Sequence, residues 1–224
     1  MNKLNLVELL FGEDNFDYTK SDVKDFVVKL TDLKRTRLFI ETWHYSGSVN
    51  GLRISQIFGL FYQGNLIGAM IYGPLGMPNI WKKYAKEESK VIELKRLCCI
   101  DNTPKNTESY FIGKTLRWLK QNTDYDLIVS YADTFYGHSG VIYKASNFKH
   151  VGMTTKGKVI DYKGKFYHDK CIRTYYINKS GGKILKPFAQ RVKDALECGE
   201  ARYIEMPEKN IYTYPLRKVS IGNK

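Results

Sequence analysis

The segment "DLIVSYADTFYGHSGVIYKASNFKHVG", residues 126–152, reads as a strand, a loop, a short helix and the start of a second strand. The run at 125–133 is compact and apolar, with β-branched Ile128 and Val129, which suits a strand covered on both faces. It ends in Ser130-Tyr131-Ala132-Asp133. Residues 139–148 read as a short helix carrying Tyr143, and Phe148 opens the next strand. Strands alternating with helices build an α/β sheet, and ligands bind such sheets just past the carboxyl ends of the strands. Asp133 and the loop after it fall at that place.

The chain outside this segment continues the pattern. Upstream, "VIELKRLCCI" (91–100) is a strand, and a helix runs from about Thr107 to Gln121 with Ile112, Leu116 and Leu119 on one face. "LRISQIFGLFY" (52–62) and "LIGAMIYG" (66–73) form a hairpin about Gln63-Gly64-Asn65. Residues 3–10 and 21–41 read as helices, the second with Ser21 as its N-cap. Downstream, strands at 157–163 and 166–178 join through Lys163-Gly164-Lys165. A helix at 183–198 and a closing strand pair at 202–206 and 211–216 follow. The expected fold is α/β: a mixed, mostly antiparallel central sheet with helices on both faces. One domain is expected over 1–224, with an N-terminal helical segment at 1–41 and a basic strand-helix-strand extension at 157–224.

Composition narrows the function. Of 224 residues, 43% are apolar, as in a folded globular chain, and no apolar run approaches the roughly 18 residues of a membrane span. Glu8, Glu13 and Asp14 interrupt the N-terminal apolar patch, so no signal peptide is read there, and an intracellular protein is expected. Cys98, Cys99, Cys171 and Cys198 have no metal-ligand spacing and read as reduced thiols; the first two point to opposite sheet faces if 91–100 is a strand. The net charge of +13 is uneven: residues 141–186 hold eleven Lys or Arg against Asp161 and Asp169, leaving +9 there. Those cations alternate with aromatics in "DYKGKFYHDKCIRTYYINK". Cations neutralise phosphates and ring faces stack on bases, so the partner expected is nucleic acid, with a solvated basic hairpin as the plain alternative.

The piece "IYKASNFKHVG" resembles the closing helix and strand of the GNAT superfamily of acyltransferases. Its tyrosine, Tyr143 here, often serves as an acid beside the coenzyme A sulfur. The superfamily's pyrophosphate loop would be "CCIDNTPKNTESY", which carries Pro104, Asn106, Thr107 and Ser109 where glycines are usual. Together "HYSGS", "FGLFYQGNLIGAMIYG", "ELKRLCC", "NTESYFIGKTLRWLK", the opening segment and "ARYIEM" resemble the Mom-like DNA modification proteins of bacteriophages, over roughly His44 to Met206. That resemblance implies a GNAT-like fold and conversion of adenine in viral DNA to a carbamoylmethyl derivative at its exocyclic amine, protecting the DNA from restriction. It also implies iron (Fe2+/Fe3+) and acetyl-CoA or a related acyl-CoA as cofactors, double-stranded DNA as partner, and the cytoplasm of the infected bacterial host as the place of action.

Carried over residue by residue, His44, Tyr45, Asp133 and Tyr143 become the catalytic candidates and candidate iron ligands; imidazole, carboxylate and phenolate together suit iron better than zinc. Arg96 would hold a phosphate, or else pair with Glu93; Ser109 would bond the coenzyme pyrophosphate, or else cap its helix. Trp43 would stack on an extruded adenine, or else pack in the core. Lys158, Lys163, Lys165, Lys170 and Arg173 would meet the DNA backbone. The expected protein is thus a transferase modifying adenine in DNA. Two alternatives stay open: a conventional acyl-CoA-dependent N-acyltransferase acting on a hypermodified base or other amine, and a non-catalytic DNA-binding protein. Monomer and homodimer are both open.

Overall fold

The computed structural model describes residues 18–217, so the helix expected at 3–10 lies outside the described residues. In chain order the strands are β1 Val27–Leu30, β2 Gln56–Tyr62, β3 Asn65–Gly73, β4 Val91–Cys99, β5 Leu127–Ala132 and β6 Lys149–Met153, then β7 Gly157–Tyr162, β8 Lys165–His168, β9 Tyr175–Ile177, β10 Lys183–Leu185, β11 Ala201–Met206 and β12 Asn210–Pro215. The α-helices are α1 Leu33–Trp43, α2 Thr107–Asn122, α3 Val141–Ala145 and α4 Pro187–Glu197. No described helix is long and apolar enough to cross a membrane. The chain divides into two compact units: one holds the chain up to Ala132, His138–Gly152 and the chain from Asn210; the other holds Asp133–Gly137 and Met153–Lys209.

The first unit is built on a sheet of order β1-β2-β3-β4-β5-β12-β6, in which β4 and β5 run parallel while β1 to β4 and the β5–β12 pair run antiparallel. Alternation along the strands sends Phe58, Leu60, Met70, Tyr72, Ile92 and Leu94 to the face covered by Phe111, Ile112, Leu116 and Leu119 of α2. Ile57, Ala69 and Ile71 turn to the other face, under Phe39 and Ile40 of α1. Burying each such side chain is worth roughly 1.5–3 kcal/mol. Cys98 joins the α1 side and Cys99 the α2 side, as their adjacency in a strand requires, and all four cysteines are free. Tyr72 and Thr115 satisfy each other inside the α2 side through a 2.9 Å hydroxyl contact. The expected mixed, mostly antiparallel sheet with helices on both faces is therefore what the chain forms.

What positions the site is the β4–β5 pair. These strands pair over four residues only, from Val91 opposite Leu127 to Leu94 opposite Ser130. The Ser130 hydroxyl donates to the Leu94 carbonyl at 3.1 Å where pairing ends. Just beyond, β4 shifts register against β3: Tyr72 faces Leu94 and Ile71 faces Arg96, leaving Lys95 as the extra residue of a bulge. From there to Cys99, β4 has β3 on one side and the sheet is open on the other.

The helix expected at 21–41 is half strand. A 3-10 turn at Val23–Asp25 leads into β1, and α1 begins only after Asp32, whose carboxylate accepts the Arg35 N–H at 2.9 Å. The β-branched pair Val27-Val28 favours the sheet edge, and Asp32 is a better N-cap than Ser21 because α1's apolar stripe starts behind it.

The second unit is a three-stranded antiparallel sheet, β11-β7-β8, covered by α4 through Ala189, Val192 and Ala195. The turn joining β7 to β8 is the expected Lys163-Gly164, both in left-handed backbone (φ 53° and 70°), as a two-residue hairpin needs. Three expectations are corrected here. The strand expected at 166–178 is β8, a 3-10 turn at Asp169–Arg173, and β9. The helix expected at 183–198 starts at Pro187, because Lys183–Leu185 pairs with β9 instead. The closing pair does not pair with itself: β11 joins β7, while β12 enters the seven-stranded sheet beside β5. Pro207, which has no N–H to continue a ladder, follows β11 directly.

Candidate active site

α1 ends on His44, whose N–H still reaches the Ile40 carbonyl at 2.9 Å. The chain then folds back at Gly47 (φ 53°), whose N–H bonds the His44 carbonyl at 2.8 Å. This loop binds the buried imidazole to its own neighbours: Nδ1 lies 2.8 Å from the Ser46 hydroxyl and accepts the Ser46 backbone N–H at 3.1 Å. A backbone N–H cannot rotate away, so Nδ1 is the bare nitrogen and Nε2 carries the proton. Burial first, then the Arg96 guanidinium, then His138, push the His44 pKa down to about 3. His44 is a neutral imidazole with an N–H to donate.

Arg96 stands on β4 where the sheet opens. Its Nε donates to the Ser48 carbonyl at 3.3 Å and another guanidinium nitrogen to the Lys95 carbonyl at 2.7 Å, so it pins the His44 loop to the strand. Burial pulls its pKa below the ordinary value, while Tyr45 and Glu93 support the cation. The alternative pairing with Glu93 is taken by Lys95, at 3.0 Å, and Glu93 also accepts the Gly76 N–H.

Tyr45 lies between two imidazoles, its ring centroid 4.2 Å from His44 and 4.7 Å from His138. His138 was not among the sequence-derived candidates. The available signal was its bracket of glycines in "YGHSG": Gly137 and Gly140 both adopt left-handed backbone, φ 77° and 79°, which presents the exposed His138 side chain on a tight loop. Gly140 is further required because a Cβ there would collide with the Tyr212 ring.

Tyr143, on α3, is buried beside Tyr212 and Phe148 at ring distances of 5.3 and 5.5 Å. Its phenol bonds Ser130, the residue that ends the β4–β5 pairing, and burial raises its pKa, so it holds its proton. Trp43 packs on Phe39 at 6.4 Å yet stays exposed, so it is not a core tryptophan. The Ser109 hydroxyl bonds the Asn106 carbonyl at 3.0 Å, within the first turn of α2. Asn106 takes left-handed backbone (φ 74°), the conformation a loop glycine would supply, and its side chain does not cap the helix. The loop thus turns without glycine and leaves the α2 N-terminus uncapped by that residue.

Asp133 belongs to the second unit. It is buried, caps the 3-10 turn Thr134–Tyr136 through the Phe135 N–H at 3.2 Å, and meets Lys209 Nζ at 2.5 Å. Lys158, Lys163, Lys165, Lys170 and Arg173 are all exposed on this unit; Arg173 is held by Asp169, and Lys163 lies over the Tyr162 ring.

The iron set does not fit these residues. Among the described residues no group of three or more His, Cys, Asp or Glu side chains could hold a metal ion. His44 has its bare nitrogen occupied by Ser46, Asp133 is bound to Lys209, and Tyr143 keeps its proton.

A mixed sheet that opens between its parallel strands, with an uncapped helix N-terminus after one strand and a buried tyrosine after the other, defines a GNAT-like domain. The chain belongs to the Mom protein family, matching it over residues 25–220. It is 30% identical over 152 residues, 65% of its own length, to "Methylcarbamoylase mom" of Escherichia phage Mu, and spans about three fifths (61%) of that relative's length. Among solved structures it resembles the ribosomal-protein-S18-alanine N-acetyltransferase of Escherichia coli, with TM-score 0.48 and 9% identity, covering 89% of this chain and 99% of that one. It also resembles an N-acetyltransferase of Staphylococcus aureus, with TM-score 0.47 and 13% identity, covering 86% and 99%.

Proposed function

We propose that the chain is a DNA-modifying transferase that places a carbamoylmethyl-type group on the exocyclic amine of adenine in duplex phage DNA. It would act in the host cytoplasm and protect that DNA from restriction. The observation that carries the reading is the stack His44–Tyr45–His138 tied by Arg96 to the open edge of β4, in a member of the Mom protein family. His44 serves as a neutral donor: its Nε2–H bonds oxygen on which negative charge develops, a role open to an imidazole that does not protonate near neutral pH. His138, exposed on its loop, takes the proton that the amine releases. Tyr143 keeps its phenolic proton for a departing group at the sheet opening. The uncapped N-terminus of α2 suits the pyrophosphate of an acyl-CoA, with its free amides and helix dipole supplying the attraction. The iron associated with the family has no matching donor set among the described residues, so no step of this reading depends on it.

Asp133 enters through the family resemblance, and its Lys209 pair keeps it ionised and fixed. The exposed cations of the second unit bind the DNA backbone. Mass spectrometry of nucleosides from DNA co-expressed with the chain is the test. An adenosine adduct of the carbamoylmethyl mass, lost in His44→Ala and Asp133→Ala, supports the reading. An adduct on another base, or its persistence in both variants, overturns it.

A further inference from the structure

Strands β9 and β10 form a ribbon on their own. Tyr175 faces Leu185, Tyr176 faces Ile184 and Ile177 faces Lys183, and the two make a separate two-stranded sheet. So short a pair is marginal in water, yet both ends of this one are fastened. At its base the Lys186 N–H bonds the Thr174 carbonyl at 2.9 Å. At its tip the Asn178 side-chain oxygen accepts the N–H groups of Ser180 and Gly182 and the Ser180 hydroxyl, with Gly181 in left-handed backbone (φ 82°). The tip is held in shape before any partner arrives.

The ribbon's surface combines two properties. Tyr175, Tyr176, Ile177 and Ile184 are 49%, 46%, 71% and 40% exposed, a concentration of apolar surface that a strand pair with no sheet behind it does not need. From Lys170 to Lys193 the chain carries seven cations and no acid, the flanking acids being Asp169 and Asp194. An apolar protein partner would not require the charge, and simple attraction to phosphate would not require the rings. Duplex DNA answers both, since its grooves are walled by phosphates and floored by base edges and thymine methyl groups.

We propose that the β9–β10 ribbon lies in the major groove of duplex DNA, with Lys179 and Lys183 at the tip against phosphates. Tyr176 and Ile184 face the base edges; cross-strand partners share a face, and Leu185 on the opposite face is already half-buried. Two strands about 4.8 Å apart, with their side chains, match a groove about 12 Å wide. This inference rests on DNA being the substrate and assigns the groove and the element that reads it.

The test uses the full chain and a mixed-sequence duplex of about 30 base pairs, with affinity read by fluorescence anisotropy across a salt titration. The double variant Lys179→Glu/Lys183→Glu, which spares the Asn178 clamp, is expected to lose about tenfold or more in affinity and to flatten the log–log salt slope by about 2. Tyr176→Ala is expected to weaken binding with the slope unchanged. A duplex whose major groove is filled by glucosylated hydroxymethylcytosine should reduce wild-type affinity to that of the variants, whereas a minor-groove ligand should not compete. Unchanged affinity and slope in the tip variant, or competition from the minor-groove ligand alone, overturns the proposal. So does a dimer that becomes monomeric in the variants with DNA binding intact, which would make a second copy the occupant. If the wild-type chain binds and modifies DNA while the ribbon variants match it, only the ribbon assignment fails; if the wild type does neither, the DNA reading fails first.

Discussion

The Ser46 backbone N–H points at the bare Nδ1 of His44 across 3.1 Å, and this one bond fixes the proton on the far side of the ring. It also makes the folded chain refuse a proton that the unfolded chain accepts. With the folded pKa lowered to about 3 from 6.5, the unfolded state binds more protons between those values, so stability falls as pH drops through that window. The loss should reach on the order of a few kcal/mol. Urea unfolding at stepped pH should show this slope in the wild type and a shallower one in His44→Gln. In nitrogen NMR the His44 ring should hold one neutral tautomer, Nε2–H, from pH 8 to 5. A charged ring at pH 6 would remove the basis for its donor role.

Gly140 and Gly137 offer a matched comparison. Both are left-handed, so alanine at either strains the backbone by about 1 kcal/mol. At Gly140 the new methyl also meets the Tyr212 ring, whose hydroxyl donates to the Ser139 carbonyl at 2.9 Å, whereas nothing lies within 4 Å at Gly137. Gly140→Ala should therefore cost at least about 2 kcal/mol more in thermal unfolding than Gly137→Ala, an overpacking cost. It should also cut modification by displacing His138 and Tyr143 together. Equal stabilities would mean that Tyr212 moves aside freely.

How much of this was legible from the sequence follows the range of the forces. The hairpin at 52–73, the 91–100 strand and the amphipathic α2 are written in local periodicity, and they appear where they were expected. Residues 21–41 misled because a β-branched pair and an internal Asp32 cap compete with a weak helical stripe, and the sheet edge wins by tertiary pairing with β2. The partner of β12 is set by a strand some eighty residues earlier, which no local signal encodes. At the site, the resemblance picked His44 and Tyr45, but the state of His44 depends on Ser46 and Arg96 closing over it. Likewise, His138 enters only because folding brings its loop back onto Tyr45.

Asp133 and Lys209 form an ion pair buried on the carboxylate side and part-exposed on the other. Removing the carboxylate costs both this pair and the cap on Phe135, whereas Asp133→Asn keeps an acceptor for that N–H. Asp133→Ala is expected to destabilise by about 1–3 kcal/mol and Asp133→Asn by less. In a double-mutant cycle with Lys209→Met the losses should be less than additive. Additive losses in chemical denaturation would show that the pair does not couple.

His138 is the imidazole of the stack that faces solvent, opposite the buried His44 across Tyr45. If it accepts the amine proton, His138→Ala should lower the modification rate by about 10²–10⁴-fold. The stability cost should stay within about 1 kcal/mol, because an exposed side chain is removed. Added imidazole should restore part of the rate in His138→Ala and none in His44→Ala, whose ring is enclosed by its own loop. The rescue separates proton transfer from support of Tyr45: a ring lost only as a stacking partner would be replaced by His138→Phe, and a base would not. Full activity in His138→Phe would therefore reassign His138 to positioning Tyr45 and leave the proton to another acceptor.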